Sequence, residues 1–163
     1  MSEHYIATEF AMSAGVGVSE KRLPSFDKAL IAAKVGNYNL VRLSSILPAH
    51  CKEVPIDEIG QHIKEGSLLP TAYATISATG KGTKLASAIG IGFPEDPEKV
   101  GVIMEYSALD CTALEAKRIV EAMVEEGFKE RGWGLRAIKT IASEAEVEKD
   151  NTTVSTFACV AEW

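Results

Sequence analysis

The chain has 163 residues and a mass of 17.5 kDa, with a net charge of −6 and an isoelectric point near 5.1. Hydrophobic residues make up 46% of it and charged residues 25%, which excludes a disordered chain and predicts one globular domain over residues 1–163. The acidic balance argues against nucleic acid and anionic membranes as partners, and it suits a cationic substrate.

The motifs that the sequence lacks limit the cofactors the protein could bind and the cell compartment in which it could act. The N-terminus, MSEHYIATEF, lacks the pattern of a signal peptide, and no apolar run is long enough to cross a membrane. The cysteines Cys51, Cys111 and Cys159 are widely spaced and form no paired motif, so we expect neither a disulfide framework nor a zinc site. The three histidines have no ligand-pair spacing either. These observations predict a cytoplasmic protein without a metal ion.

The first part of the chain predicts a strand, a helix and a second strand. Residues 5–13 are rich in β-compatible side chains, and the following AGVGVS, with Gly15 and Gly17, is typical of a tight loop. A helix follows, with Pro24 in its first turn and Gly36 as its stop signal. The run NLVRLSSIL then predicts one strand that ends at a proline turn.

The rest of the chain predicts a loop, five more strands and a second long helix. The polar stretch 49–66 predicts a surface loop, and LLPTAYATISA, LASAIGIGF and GVIMEYSAL predict three strands whose short connections favour antiparallel pairing. A capping box from Thr112 to Glu115 begins the helix, whose apolar residues recur at helical spacing. Residues 134–147 and 153–162 predict the closing strands.

This order of elements predicts the α+β class. We expect a four-layer α/β/β/α sandwich built from a duplicated β-α-β-β unit, because two packed sheets with a helix on each outer face would bury every apolar surface. A single sheet with both helices on one face is the alternative.

The tandem serines Ser44 and Ser45 are the first unusual feature, although in most proteins such a pair is a turn or capping element. Their surroundings change this interpretation. The stretch GNYNLVRLSSILP resembles the processing region of the pyruvoyl-dependent arginine decarboxylases, and LPSFDKAL, GSLLPTAYATI, GVIMEYS and EGFKERGW resemble the same family in the same order. The resemblance extends from about Met12 to the closing strand, and the loop between His50 and Gly66 is the part least expected to follow it.

The resemblance implies an enzyme that matures by cutting its own backbone. The Ser45 hydroxyl would attack the Ser44 carbonyl, and elimination from the resulting ester would divide the zymogen into a small chain, 1–44, and a large chain, 45–163. Loss of ammonia would leave a covalent pyruvoyl group at position 45, so neither pyridoxal phosphate nor a metal is expected. The substrate, L-arginine, would form a Schiff base with this ketone and leave as agmatine and carbon dioxide.

The resemblance also implies roles for three polar residues. Asn39 matches a position linked to self-processing, where its amide would donate to an oxyanion, and a turn role is the alternative. Glu105 in GVIMEYS matches the family's proton donor, and an outward-facing strand carboxylate is the alternative. Asp27 matches the carboxylate that binds the substrate guanidinium, although the helix dipole would favour a first-turn aspartate in any case.

The implied assembly is a homotrimer, or a dimer of trimers, with active sites between neighbouring subunits. Agmatine would enter polyamine biosynthesis, or the reaction would consume protons for acid resistance, and the sequence leaves both open. Three other functions stay open as well: an N-terminal nucleophile amidohydrolase, a decarboxylase of histidine or another amino acid, and a trimeric binding module whose serine pair is only a turn.

Overall fold

The structure is a computed structural model that describes residues 5–163. Its strands are β1 (Glu9–Ser19), β2 (Asn39–Arg42), β3 (Ile46–Leu47), β4 (Lys52–Glu53), β5 (Leu68–Thr79), β6 (Lys84–Pro94), β7 (Gly101–Leu109), β8 (Leu135–Glu146) and β9 (Thr153–Glu162). Its helices are α1 (Arg22–Ala32), α2 (Ile59–His62) and α3 (Ala113–Arg131), with a 3-10 turn at Ile56–Glu58. No helix within residues 5–163 is long and apolar enough to span a membrane.

The strands form two sheets that pack against each other. A five-stranded sheet has the order β2-β5-β9-β1-β4, and a four-stranded sheet has the order β3-β7-β6-β8. Apolar side chains from both sheets, among them Phe10, Ile89, Ile103 and Val160, form the core between them. Helix α1 packs on the five-stranded sheet and α3 on the four-stranded sheet. The mixed α+β class with two packed sheets is confirmed, and the single-sheet alternative is wrong.

Helix α1 lies unusually close to β1 because β1 contains two glycines. A Cβ atom on Gly17 would lie 2.0 Å from the carbonyl oxygen of Ser25, and one on Gly15 would lie 2.3 Å from that of Ala29. Strand β1 continues through both glycines to Ser19, so the loop predicted for AGVGVS is wrong. These glycines allow a helix backbone to approach the strand, which local sequence rules do not distinguish from a turn.

Helix α1 ends with a residue in the left-handed region, but that residue is not the glycine predicted from the sequence. Lys34 has φ 63°, and Gly36 is not among the residues with positive φ. The N–H of Lys34 donates to the carbonyl of Ile31 at 2.9 Å, and the N–H of Val35 donates to that of Leu30 at 3.0 Å. Together these bonds form a Schellman motif, which satisfies the last helical carbonyls two residues before Gly36.

The run NLVRLSSIL does not form one strand. It divides into β2, which pairs in parallel with β5 in the five-stranded sheet, and β3, which pairs antiparallel with β7 in the four-stranded sheet. The chain therefore crosses from one sheet to the other at residues 43–45. The single-strand prediction is wrong because β-compatible residues continue through both strands, and only the packing of the sheets reveals the crossing.

The three strands predicted after residue 67 are confirmed as β5, β6 and β7, but their pairing is only partly as expected. Strands β6 and β7 are antiparallel neighbours, whereas β5 lies in the other sheet and pairs with β9. The predicted surface loop at 49–66 contains β4, the 3-10 turn and α2. A short connection between β5 and β6 thus joins two sheets instead of forming a hairpin within one.

Helix α3 and the last two strands agree with the sequence. The Thr112 hydroxyl accepts the Glu115 N–H at 3.2 Å, and the Glu115 carboxylate accepts the Thr112 N–H at 2.8 Å, so the capping box is confirmed. The buried face of α3 covers the four-stranded sheet, where Val120 and Val124 are fully buried. Strands β8 and β9 lie within the ranges predicted for the closing strands.

Candidate active site

Ser44 and Ser45 form the link between the two sheets. Before them, the Leu43 N–H donates to the carbonyl of Thr71 in β5 at 3.0 Å. After them, the Ile103 N–H in β7 donates to the carbonyl of Ser45 at 2.7 Å. One backbone hydrogen bond to each sheet therefore fixes the chain on both sides of the Ser44–Ser45 peptide bond. Ser44 is exposed and Ser45 is half-buried.

Glu105 lies on β7, close to the point where Ser45 is bound. It follows Ile103 by two residues, so its side chain lies on the same face of the sheet, about 7 Å further along the strand. Ile103 belongs to the core between the sheets, and that face is directed at the five-stranded sheet. The Glu105 side chain is 32% exposed. The alternative of an outward-facing carboxylate is therefore wrong, while the proton-donor role stays a prediction.

Arg42 and Tyr73 of the five-stranded sheet hold the Glu105 carboxylate. Arg42 Nη2 donates to Glu105 Oε1 at 2.5 Å and to the carbonyl oxygen of Tyr73 at 3.0 Å. The Arg42 guanidinium carbon lies 4.4 Å from the centre of the Tyr73 ring. The other carboxylate oxygen, Glu105 Oε2, is buried and has no hydrogen-bond partner in the described part of the chain. Oε1 is thus hydrogen-bonded to Arg42, whereas Oε2 is free to form a further hydrogen bond.

Two opposing effects act on the Glu105 carboxyl. Burial raises its pKa, because desolvation penalises the charged form, and the charge and hydrogen bond of Arg42, together with a hydrogen bond from the Tyr73 backbone, oppose that rise. The pKa remains above the ordinary value for a glutamate. A raised pKa favours the protonated form of the carboxyl, which is the form in which a general acid acts.

Asp27 lies on α1, which covers the face of the five-stranded sheet opposite the core between the two sheets. Helix α1 begins at Arg22, so Pro24 lies in the first turn as predicted, while Asp27 lies in the second turn and not in the first. Asp27 is exposed, and the described residues include no hydrogen bond or ion pair that joins it to the serine link. One turn away on either side, Leu23 is 75% exposed and Ile31 is 57% exposed. This apolar surface around Asp27 is suited to contact with another subunit.

Asn39 also lies apart from the serine pair. It is the first residue of β2, and its Nδ2 donates to the carbonyl of Gly66 at 2.9 Å, while its N–H donates to that of Ser67 at 2.9 Å. Four residues lie between it and Ser44, which corresponds to at most roughly 16 Å in a fully extended chain. Its amide thus holds a neighbouring loop within the subunit, and its processing role stays a prediction.

The sequence did not identify three residues that the structure brings to attention. Arg42 and Tyr73 contact each other beside Glu105. The sequence pattern that could have indicated them was the single cation, Arg42, in the strand before the serine pair. Glu162 is 4% exposed, its Oε1 has no hydrogen-bond partner among the described residues, and burial raises its pKa to about 7. Its only signal in the sequence was a carboxylate at the end of an apolar strand.

Other reactive side chains do not form a second centre. Within residues 5–163, no group of three or more His, Cys, Asp or Glu residues is arranged to hold a metal ion, and His4 lies outside the described residues. Burial raises the pKa of Cys51 to about 11 and that of Cys159 to about 12, so neither thiol is an activated nucleophile. Ser45 and Glu105 therefore remain the best candidates for chemistry.

A serine pair held on both sides of its peptide bond, with a carboxyl of raised pKa on the adjoining strand, fits the class of self-processing decarboxylases. Comparison with known proteins specifies the family. The family model described as pyruvoyl-dependent arginine decarboxylase matches residues 9–162. This chain belongs to that family, and the matched range contains every candidate site residue.

Curated relatives with this name cover most of the chain. A pyruvoyl-dependent arginine decarboxylase from Pyrococcus abyssi is 43% identical over 149 residues, which is 91% of each chain. One from Thermococcus sibiricus is 44% identical over 139 residues, 85% of this chain and 84% of the relative. One from Methanocaldococcus jannaschii is 39% identical over 153 residues, 94% and 88% of the two chains. The similarity therefore extends over nearly the whole length of these proteins.

Proposed function

We propose that this chain is the precursor of a pyruvoyl-dependent decarboxylase that converts L-arginine into agmatine and carbon dioxide. Family membership supports the reaction, and the relatives named for arginine support the substrate. The observation that supports the chemistry most directly is the Ser44–Ser45 link, which is bound to both sheets beside Glu105. A net charge of −6 also suits a cationic substrate.

Maturation begins with attack of the Ser45 hydroxyl on the Ser44 carbonyl carbon, which replaces the amide bond by an ester. Elimination releases the chain 1–44 and leaves dehydroalanine at position 45, and hydrolysis with loss of ammonia gives the pyruvoyl group of the chain 45–163. The hydrogen bonds on either side support this step, because neither is broken by the cut. Each new chain end remains attached to its own sheet.

The residues around position 45 fit the group that maturation would produce. The pyruvoyl ketone supplies an electron sink, which no ordinary side chain offers for decarboxylation, and neither pyridoxal phosphate nor a metal is required. The hydrogen bond from Ile103 orients position 45, and Glu105, two residues further along the same strand, has a buried Oε2 without a hydrogen-bond partner among residues 5–163. Glu105 then returns a proton to the substrate Cα after carbon dioxide has left.

Substrate recognition uses Asp27 from a neighbouring subunit of a homotrimer or a dimer of trimers. Asp27 lies on the outer surface of α1, which covers the face of the five-stranded sheet away from the serine link. A carboxylate binds the planar guanidinium of arginine through charge-assisted hydrogen bonds. The exposed apolar residues Leu23 and Ile31 support a subunit contact there, as does Val41 on edge strand β2, which is 44% exposed.

Three finer expectations belong to the same proposal. Asn39 assists processing of a neighbouring subunit's serine pair, because its amide is held on the carbonyl of Gly66 and four residues separate it from its own serine pair. The four layers derive from a duplicated β-α-β-β unit, which is supported by the way α1 and α3 each cover one sheet. The protein acts in the cytoplasm, which is supported by the free thiols of Cys51, Cys111 and Cys159.

Replacement of Glu105 tests the division of labour between maturation and turnover. Glu105→Gln keeps the side-chain shape but cannot deliver a carboxylic proton, whereas attack by Ser45 uses a hydroxyl and a carbonyl that are already neighbours. We expect this variant to cleave normally and to lose about a hundredfold or more in decarboxylation rate. Chain masses and carbon dioxide release are measured on the same sample.

The matched control is Glu146→Gln, which changes an exposed glutamate at the end of β8 and should leave both steps unchanged. Decarboxylation of arginine by Glu105→Gln at the parent rate would show that Glu105 is not the acid. Failure of the variant to cleave would instead assign Glu105 to maturation.

A further inference from the structure

We infer that Arg42 is a positioning residue, which holds the Glu105 carboxyl by one oxygen so that the other oxygen delivers the proton. This inference rests on the proposed function and adds a residue to it. Arg42 does not touch the reacting atoms in this account and acts only through Glu105.

The contacts of Arg42 fix its guanidinium in place. Nη2 is shared between Glu105 Oε1 and the carbonyl of Tyr73, and the guanidinium lies over the Tyr73 ring. A planar guanidinium that is hydrogen-bonded and stacked loses little further freedom when it binds a carboxylate. Both Arg42 and Tyr73 belong to the five-stranded sheet, whereas Glu105 belongs to the other. Arg42 therefore sets the position of the carboxylate across the gap between the sheets.

The carboxylate needs such a contact because its second oxygen has none. Glu105 Oε2 is buried without a partner among residues 5–163. A glutamate held at neither oxygen could rotate to solvate both of them. With Oε1 held by Arg42, the rotation is restricted and Oε2 keeps its buried position.

Arg42 also affects the pH range in which Glu105 carries its proton. Arg42 from β2 is the charged group that acts on Glu105, and a hydrogen bond from the backbone of Tyr73 in β5 also lowers its pKa, while Ile89 opposite it in β6 and the residues of β3 are apolar. Burial raises the pKa of Glu105 and Arg42 opposes this, so removal of Arg42 raises the pKa further. A general acid acts in its protonated form, so its rate falls as pH rises through that pKa. Without Arg42 this fall occurs at higher pH.

The proposed cleavage would place the two partners on different chains. Arg42 would belong to the chain 1–44, two residues before its new end, and Glu105 to the chain 45–163. The ion pair would then be a direct link between the chains at the site. Through this ion pair the small chain would continue to influence turnover after the bond between the two chains has been cut.

The test compares Arg42→Met, which removes the charge and the hydrogen bonds, with Arg42→Lys, which keeps the charge. We expect Arg42→Met to lower kcat per pyruvoyl group by roughly 10- to 100-fold, the range expected for a misplaced catalytic group. The alkaline limb of its pH profile, identified by its absence in Glu105→Gln, should move to higher pH. Arg42→Lys should have a kcat and an alkaline limb closer to those of the parent. The control Arg118→Met, at an exposed position of α3, should have the kcat and the alkaline limb of the parent.

A second measurement avoids any dependence on maturation. In the uncleaved Ser45→Ala protein, the Glu105 carboxyl is titrated by NMR with labelled glutamate and is assigned by its loss in Glu105→Gln. We expect Arg42→Met to raise the pH at which this carboxyl titrates. An unchanged titration, or an Arg42→Met enzyme with the parent kcat and alkaline limb, would overturn the inference. A Glu105→Gln enzyme at the parent rate would contradict the proposed function instead, so the two failures are distinguishable.

Discussion

Two glutamates in buried strands, Glu105 and Glu162, differ in how their charge is compensated. Glu105 has the Arg42 guanidinium at 2.5 Å, and its side chain remains 32% exposed. Glu162 is 4% exposed, lacks a partner for Oε1 in the described chain, and has its pKa raised to about 7 by burial. An unpaired buried carboxylate is costly when it is charged. Glu162 should therefore make stability depend on pH.

The sign of this dependence follows from the two pKa values of Glu162. The value is about 7 in the folded protein and about 4.3 in an unfolded chain, so the folded state binds the proton more tightly. The free energy of unfolding therefore falls as pH rises from about 4.3 to about 7. Glu162→Gln should remove this fall and be more stable than the parent by about 1 to 3 kcal/mol at about pH 8.

Urea unfolding at about pH 5 and about pH 8 measures this difference. The gain of Glu162→Gln over the parent should be larger at the higher pH, and exposed Glu146→Gln should show no such change. An equal difference between Glu162→Gln and the parent at both pH values would show that Glu162 is not the source.

The sequence could identify candidate residues but not their contacts. Ser45 and Glu105 were named through the family resemblance, and the structure places them near each other because the Ile103 N–H binds the Ser45 carbonyl. Arg42 was missed because its partner, Glu105, lies 63 residues away on the other sheet. The separation of Asp27 from the serine link likewise depends on which face of the sheet α1 covers, which no local pattern records.

Among the structural elements, those with a marked side-chain period were predicted and those defined by tertiary contacts were not. Strands β5 to β7 and helix α3 show clear patterns, and α3 has a capping box in addition. The crossing at residues 43–45 and the extension of β1 past Gly15 and Gly17 have no such mark. The crossing depends on how the chain packs against the second sheet, and the extension of β1 depends on the close approach of α1.

The contact between α1 and β1 gives a prediction at the level of elements. A Cβ at Gly17 would lie 2.0 Å from the Ser25 carbonyl oxygen and 2.4 Å from the Ala29 nitrogen, and backbone atoms cannot move aside as flexible side chains do. Gly17→Ala should therefore lower the free energy of unfolding by about 3 kcal/mol. In the control Gly60→Ala, nothing lies within 4 Å of the added Cβ, and stability should be retained.

Urea unfolding of both variants and the parent measures this effect through the midpoint at a constant m-value. A Gly17→Ala protein as stable as Gly60→Ala would contradict the close approach of α1 to β1.

At the scale of the whole molecule, the proposed site is divided between subunits. The serine link and Glu105 lie at the edge of the packed sheets, while Asp27 lies on the outer helix surface between the exposed side chains of Leu23 and Ile31. A cyclic assembly brings such separate surfaces together, because each subunit presents one patch to the next. Two inactive subunits with different defects should then repair each other.

Mixed assemblies of Asp27→Asn and Ser45→Ala subunits test this division. Asp27→Asn alone should lose about 1.5 to 3 kcal/mol of arginine binding, and Ser45→Ala alone should be inactive. Random mixing in equal amounts should restore about a quarter of the parent activity at low arginine, since that share of interfaces combines Ser45 and Asp27. Activity no greater than the sum of the separate variants would place both residues in the same subunit's site.

Intact mass spectrometry of the purified protein tests the central claim, which is that the chain cuts itself between Ser44 and Ser45 and retains a pyruvoyl group. We expect two chains, 1–44 and 45–163, with the larger one lighter by one ammonia than an unmodified fragment. Ser45→Ala should remain at full length because alanine has no hydroxyl to attack the preceding carbonyl. A single full-length mass after prolonged incubation would contradict the account, as would a large chain with an unmodified serine at its N-terminus.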